Sequence, residues 1–326
     1  MKKAIVVVLI AVLAILVLSL AGCGPAKEKL ASESLKLTLN NYIAGDFSDD
    51  DIAAMTQGFS AMGLSDQATQ DLVDTVKNLL SKLTFNIVSS TADANDPNLF
   101  VVNTDIVTVD GAAIFTDDAA IEASVRASTE ESLTGADEAT ATTAGLDALF
   151  SGILEKSKTA EATVNANMDF KMTYDSSTNT FTFVEDEGEW SKLLGMNNMD
   201  FESVYQQKSE QKLADLTASG AFSASILNLM VQTLQPELDS MSSTLTGIFT
   251  ISAEARGDNT LVVIFKAEAS QYESKDIVQA ATTGLDASYS TLPGILQSSG
   301  VLNPVVRVEF LKMNGDLIYS KEYTVQ

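Results

Sequence analysis

The clearest pattern in this chain is a strict alternation of apolar and polar side chains across residues 162–174. One face of this segment is apolar and the other is polar, which is typical of a strand in a sheet that is covered on one side only. Turn-forming residues follow, and Phe181 and Phe183 continue the period of two, so the sequence predicts a hairpin. A similar hairpin is predicted upstream from the alternation at 83–87 and 100–109.

Helical periodicity precedes these hairpins and separates them. Apolar residues recur every three or four positions across 52–62, 68–83 and 121–125, as they do on the buried face of a helix. Helical character resumes after a polar stretch and continues to about Lys158. The first part of the chain is therefore predicted to contain helices, a hairpin, a long helix and a second hairpin.

The same order of elements is predicted again in the second half of the chain. Helices are expected over 201–216, 222–234 and 236–247, strands over 249–253 and 261–265, a helix over 277–285, and strands over 306–310 and 317–319. The last two strands flank Asn314 and Gly315, a dipeptide that strongly favours a tight hairpin turn.

Short sequence repeats accompany the second copy of the pattern. Residues 142–148 recur, with one residue fewer, at 282–287. The tripeptide Gly-Ile-Leu follows both copies, at 152–154 and at 294–296. Because the repeats keep their order within matching patterns, they favour an ancient tandem duplication.

These patterns predict an α+β protein of two tandem units. Each unit should contain helices and an antiparallel sheet built from two hairpins that are separated by a helix. The predicted boundaries are 1–22 for a leader, 23–32 for a short polar tether, 33–199 for the first unit and 200–326 for the second.

The N-terminus has the layout of a secretory signal peptide, with Lys2 and Lys3 ahead of an apolar run that ends in small residues. Residues 20–23, Leu-Ala-Gly-Cys, resemble the lipobox of bacterial lipoproteins. The resemblance implies that Cys23 becomes the mature N-terminus and carries a thioether-linked diacylglyceryl group, and two acyl chains suffice for a stable membrane anchor. The alternative is an uncleaved membrane anchor, since the run is just short of the ~20 residues that usually span a bilayer.

Composition excludes several classes of partner and of chemistry. Forty-four acidic residues against 20 Lys and Arg give a net charge of −24, so nucleic acids and anionic headgroups should be repelled. The chain has no histidine, which removes Ser-His-Asp and Cys-His nucleophiles. With Cys23, the only cysteine, acylated, the usual nitrogen and sulfur ligands of transition metals are missing, and we expect no cofactor.

Two local features offer weaker candidates for chemistry. Ser209 and Lys212 match the Ser-x-x-Lys pattern of penicillin-binding enzymes, but the companion Ser-Asp-Asn and Lys-Thr-Gly elements are absent. Acidic runs at 46–51, 93–96 and 185–189 offer oxygen ligands for calcium, although none follows the EF-hand pattern. Helix capping explains the first run, so we predict neither a catalytic residue nor a metal site.

Trp190, the only tryptophan, could stack on a ligand at the mouth of a cavity. A tryptophan at the end of a strand more often packs onto a neighbouring helix, however. We therefore expect Trp190 to have a packing role.

Two further motifs carry a resemblance to known families. An acidic, glycine-containing run leads to Trp190 and is followed by Leu-Leu-Gly at 193–195, while the closing segment contains Asn-Pro-Val-Val-Arg-Val at 303–308. These motifs resemble uncharacterised lipoproteins of Gram-positive bacteria that carry domains of unknown function. The first unit is more loosely similar to the cone-shaped fold of nuclear transport factor 2, although a long helix between the hairpins departs from that fold. The resemblance implies a fold and no known activity.

The combined prediction is a lipid-anchored lipoprotein on the outer face of a bacterial cell membrane. Its function is predicted to be non-enzymatic, the binding of a ligand or a protein partner at the cell envelope, with the lipid on Cys23 as its contact with the membrane. One alternative is an envelope hydrolase that uses Asp, Glu, Ser or Lys chemistry. The other is a structural spacer.

Overall fold

The computed structural model describes residues 24–47, 64–184, 187–196 and 199–325. The predicted leader, Cys23 and the helix expected over 52–62 lie outside the described residues.

The chain divides into two compact units. Among the described residues, one unit is formed by residues 24–121 with 146–205, and the other by residues 122–145 with 206–325. Each unit contains one four-stranded sheet. No helix in the described part of the chain combines the length and the apolar character needed to cross a membrane.

The elements of the first half begin with helices and end with a hairpin followed by a short helix. They are α1 (Gly24–Ala44), α2 (Asp66–Leu80), β1 (Thr84–Ala92), β2 (Leu99–Val109), α3 (Gly111–Phe115), α4 (Asp118–Leu133), α5 (Glu138–Thr159), β3 (Ala162–Asp175), β4 (Thr180–Phe183) and α6 (Glu187–Leu193). The second half contains α7 (Phe201–Ala218), α8 (Ser223–Thr244), β5 (Phe249–Arg256), β6 (Thr260–Ala267), α9 (Lys275–Tyr289), α10 (Leu292–Ser298), β7 (Val305–Leu311) and β8 (Leu317–Thr324). The predicted α+β class with two tandem units is confirmed.

The first sheet has the order β1-β2-β3-β4, and all its neighbouring strands are antiparallel. The apolar face that the alternation predicted in β3 is buried at Met168, Phe170 and Met172. Val102 and Ile106 of β2 are buried beside it. Helix α1 packs against this sheet.

The extended tether expected at 23–32 is not found in the described residues from Gly24 onward, because they form the start of α1. The reason is an apolar stripe at helical spacing, which continues through the expected boundary. Its buried members are Ala31, Leu35, Leu39 and Tyr42. A helix rises only 1.5 Å per residue, so α1 extends far less than an open chain of the same length.

The second sheet has the order β5-β6-β7-β8 and a core of apolar side chains from all four strands. Its central pair, β6 and β7, is parallel, which corrects the expectation of an antiparallel sheet. The connection through α9 and α10 is a crossover that returns the chain to the starting end of β6 before β7 begins, as parallel pairing requires. Pro236 does not divide the preceding helix as expected, because α8 runs through it.

The two sheets share their strand order but not their strand directions. The central strands are antiparallel in the first sheet and parallel in the second. The first copies of the two sequence repeats, at 142–148 and 152–154, both lie in α5. Their second copies, at 282–287 and 294–296, lie in α9 and α10. The tandem duplication therefore stays a prediction.

Candidate functional site

A groove of about 500 Å³ lies between α9 and β8 in the second unit. It is lined by Asp286 and Ala287 of α9, by Ser290 directly after that helix, and by residues 321–324 of β8. Helix α9 buries one face on the core, through Val278, Thr282 and Tyr289, and Asp286 lies at the margin of that face. Consequently its carboxylate is directed along the groove toward β8.

Strand β8 pairs with β7, and in this register Lys321 lies opposite Val308 and Tyr323 lies opposite Val306. Since Val306 and Val308 belong to the core, Lys321 and Tyr323 lie on the core side of β8. A lysine is tolerated there because β8 is the last strand of the sheet, and its long side chain reaches the groove.

Asp286 is the centre of a small hydrogen-bonded cluster. The ammonium Nζ of Lys321 and the hydroxyl of Tyr323 both donate to Asp286 Oδ1, each at 2.6 Å. The Lys321 ammonium also lies 5.3 Å from the centroid of the Tyr323 ring. The side chains of Asp286 and Lys321 are each 37% exposed, so solvent reaches the ion pair.

The pKa values in this cluster move away from neutrality. The hydrogen bond from Lys321, followed by that from Tyr323, lowers the pKa of Asp286. Burial, followed by the hydrogen bond to Asp286, raises the pKa of Tyr323, and burial alone raises that of Tyr289. A general acid or base works best with a pKa near the operating pH. These groups are thus suited to holding a polar ligand rather than to transferring protons at neutral pH.

A second polar cluster lies on the opposite face of the same sheet. The guanidinium of Arg256 makes a bidentate pair with Glu309, with nitrogen–oxygen distances of 2.7 and 3.0 Å. Arg307 lies 3.7 Å from Glu309 and 2.5 Å from Glu322. The Glu309 side chain is only 8% exposed, and the bond to Glu309 raises the pKa of Arg256. Because carboxylates already hold both guanidinium groups, we assign this cluster to stability.

The Ser-x-x-Lys candidate does not form an exposed nucleophile. Ser209 Oγ is buried, and it has no hydrogen-bond partner within the described residues. The Nζ of Lys212 lies 3.9 Å from a carboxylate oxygen of Glu122. A catalytic serine must be accessible and must be activated by a base, so the geometry does not support that role.

The acidic run at 93–96, which lies within the described residues, forms turns rather than a ligand set. Asp93 Oδ1 accepts from the backbone N–H groups of Asn95 and Asp96, and Asp96 Oδ1 accepts from that of Asn98. No group of three or more acidic side chains among the described residues is arranged to hold a metal ion. Residues 48–51, 185 and 186 lie outside that part of the chain.

Trp190 packs as expected, although it lies in α6 rather than at the end of a strand. Its ring centroid is 5.1 Å from that of Tyr42 on α1. It therefore holds α6 against the first helix.

The sequence patterns did not single out Asp286, Lys321 or Tyr323. A signal was present, because Asp286 belongs to the repeated Gly-Leu-Asp-Ala segment, and Lys321 interrupts an apolar face between two tyrosines. The aspartate in the first copy, Asp147, also accepts a hydroxyl bond, from Ser65 at 2.5 Å.

No curated protein and no solved structure matches the chain. Residues 227–323 match a family described as a domain of unknown function, DUF4854. The matched segment includes Asp286, Lys321 and Tyr323, so the groove between α9 and β8 is formed largely by residues that are similar to this family.

Proposed function

We propose that this protein is a lipid-anchored binding module on the outer face of a bacterial cell membrane, and that it binds a ligand or protein partner through the groove between α9 and β8. The lipobox-like residues 20–23 and the leader before them support this location at the cell membrane. The strongly acidic, histidine-free composition supports a function other than nucleic-acid binding or histidine-dependent catalysis.

The observation that carries the proposal is the groove itself. It is open to solvent, it is lined by charged and hydroxyl groups, and its central carboxylate is fixed in position by Lys321 and Tyr323. Fixed polar groups in a concave site orient a bound partner at a low entropic cost.

The same cluster argues against the alternative of a hydrolase. A hydrolase without histidine would need a carboxylate, serine or lysine whose pKa is shifted toward neutrality. In the groove, the pKa of Asp286 is lowered and that of Tyr323 is raised. Both shifts hold the groups in their ordinary protonation states at neutral pH.

Site-specific photo-crosslinking in intact cells tests the binding function. A benzoylphenylalanine placed at Ser290 lies in the groove, and one at Ser240, on α8, is an exposed control. We expect a discrete adduct from position 290 only, and we expect Asp286→Arg to abolish it. Equal labelling from both positions, or an adduct that survives the substitution, would contradict the proposal.

A separate experiment tests the lipid attachment and the membrane location. Cells fed with a labelled fatty acid should incorporate it into the protein, and Cys23→Ser should remove the label and release the protein from the membrane fraction. Incorporation of label into the Cys23→Ser variant would refute lipidation at that residue.

A further inference from the structure

The two edge strands of the second sheet differ in whether their outward-facing backbone groups are hydrogen-bonded. At the β5 edge, Ser242 of α8 accepts from the N–H of Ile251 at 2.6 Å and donates to its C=O at 3.2 Å. The side-chain oxygen of Gln235 accepts from the N–H of Ala253 at 3.4 Å. Helix α8 therefore satisfies backbone groups that the edge of β5 would otherwise leave unpaired.

No backbone or side-chain group among the described residues covers the β8 edge in this way. The N–H of Val305 donates to the C=O of Asn259 at 2.8 Å, on the β6 side, so the alternate residues Val306 and Val308 direct their backbone groups to β8. Their partners Tyr323 and Lys321 use their backbone groups in that ladder. The residues between and beside these partners consequently present their N–H and C=O groups to the open edge.

These outward-facing residues are Ser320, Glu322 and Thr324. Within the described part of the chain, their backbone groups make no hydrogen bond beyond the sheet. The open edge adjoins the groove, since Glu322 and Thr324 line it and α9 forms its other wall.

We propose that an extended, basic segment of a partner protein adds to the edge of β8 as a fifth strand and lies in the groove between β8 and α9. This inference rests on the proposed function and specifies the binding mode and the chemistry of the partner. Addition of a strand to an open sheet edge draws affinity from main-chain hydrogen bonds and specificity from alternate side chains.

The chemistry of the groove favours a basic segment. Side chains of an added strand would alternate between the α9 side, where they meet Asp286 and Ser290, and the opposite side, where Glu322 is paired with Arg307. A lysine or arginine on the α9 side would compete with Lys321 for Asp286. The net charge of −24 attracts a basic segment and repels a second copy of this chain.

The mature, full-length protein and a peptide of alternating lysine and threonine, about seven residues long, provide the test. Two further versions of the peptide carry N-methyl groups on alternate residues, in the odd or in the even positions. Only one set of amides faces β8, so we expect one methylated peptide to bind as the parent does and the other to bind at least about tenfold more weakly. Isothermal titration measures all three affinities.

Substitutions in the protein give a matched pair. Glu322→Pro removes an outward N–H while leaving the ladder to β7 intact, and Glu322→Ala removes the same side chain but keeps the N–H. We expect the proline variant to bind the parent peptide about tenfold more weakly than the alanine variant. If Glu322→Pro does not fold, as judged by circular dichroism, the methylated peptides decide the question with the wild-type protein.

Three results would overturn strand addition. The first is equal binding of both methylated peptides, which would show attraction by charge alone. The second is no binding of the parent peptide, and the third is a stable dimer by sedimentation that excludes the peptide. If the Ser290 adduct persists in cells while the peptide fails to bind, strand addition is refuted and the proposed binding function stands.

Discussion

Replacing Gly195 by alanine should destabilise the first unit severely. Gly195 follows α6 with a backbone φ of +68°, which costs a residue with a side chain about 1 kcal/mol. A Cβ atom built on Gly195 would overlap the carbonyl oxygen of Val109 and would lie 3.0 Å from the amide nitrogen of Gly111. Both neighbours are backbone atoms and cannot rotate away.

The loss in the free energy of unfolding follows from the contacts that an added Cβ atom would disrupt. To admit the Cβ, the segment after α6 must separate from the end of β2, where Thr108 Oγ1 donates to the C=O of Leu193 at 2.7 Å. Loss of this buried hydrogen bond and looser packing of Leu193, which is fully buried, together cost about 2–4 kcal/mol. With the backbone cost, Gly195→Ala should lower the free energy of unfolding by about 3–5 kcal/mol.

Gly45 supplies a matched control within the same unit. Its φ is +75°, and a Cβ there would meet no atom within 4 Å. Gly45→Ala therefore bears only the backbone cost, about 1 kcal/mol. Urea unfolding followed by the fluorescence of Trp190, the only tryptophan, reports on the first unit. If the two variants differ by less than about 1 kcal/mol, with equal dependence on urea, the close-contact reasoning is wrong.

Three further predictions concern other polar contacts. Lys82 donates from its ammonium to three carbonyls at the C-terminal end of α5, so Lys82→Met should lower the free energy of unfolding by about 1–2 kcal/mol in the same urea assay; an unchanged midpoint would contradict this. Glu309→Gln should cost about 1–2 kcal/mol in thermal unfolding, because the bond from Arg256 is only partly exposed to solvent; a variant as stable as wild type would refute that role. The pKa of Tyr323 is raised above its ordinary value of 10.0, so its hydroxyl stays protonated above pH 10.0. The contribution of this hydroxyl to stability is therefore fully present below pH 10.0 and is lost as the pH rises through the raised pKa. The absorbance difference at alkaline pH between wild type and Tyr323→Phe measures the titration, and Asp286→Asn should shift it downward; titration of Tyr323 at its ordinary value in the wild type would exclude the hydrogen-bonded arrangement.

Local periodicity predicted the strands well because a sheet covered on one side imposes a period of two on its residues. The alternation at 162–174 is therefore sufficient to identify β3 and its buried face. Periodicity is a weaker guide at α1, because charged residues lie between the members of the apolar stripe that includes Ala31 and Leu35. The break expected at Pro236 also failed, because tertiary packing can hold a helix together across one missing hydrogen bond.

The glycine of the Leu-Leu-Gly motif illustrates what a motif alone leaves open. The sequence shows Gly195 after two leucines, and a helix end is a common place for glycine. Only the fold brings Gly195 against Val109 and Gly111. The close backbone contact is a property of two segments that are far apart in sequence.

The sequence is sufficient to predict the α+β class and most of the elements and to exclude chemistry that needs histidine, and it predicts a membrane location through Cys23. Only the folded structure shows that β7 runs parallel to β6, that α8 covers β5 while the described residues leave the β8 edge open, and that Asp286 meets Lys321 across 35 residues of sequence. The physical reason is that periodicity records which face of one segment is buried. It carries no information about which distant segment lies against that face, in which direction that segment runs, or which backbone groups remain unpaired.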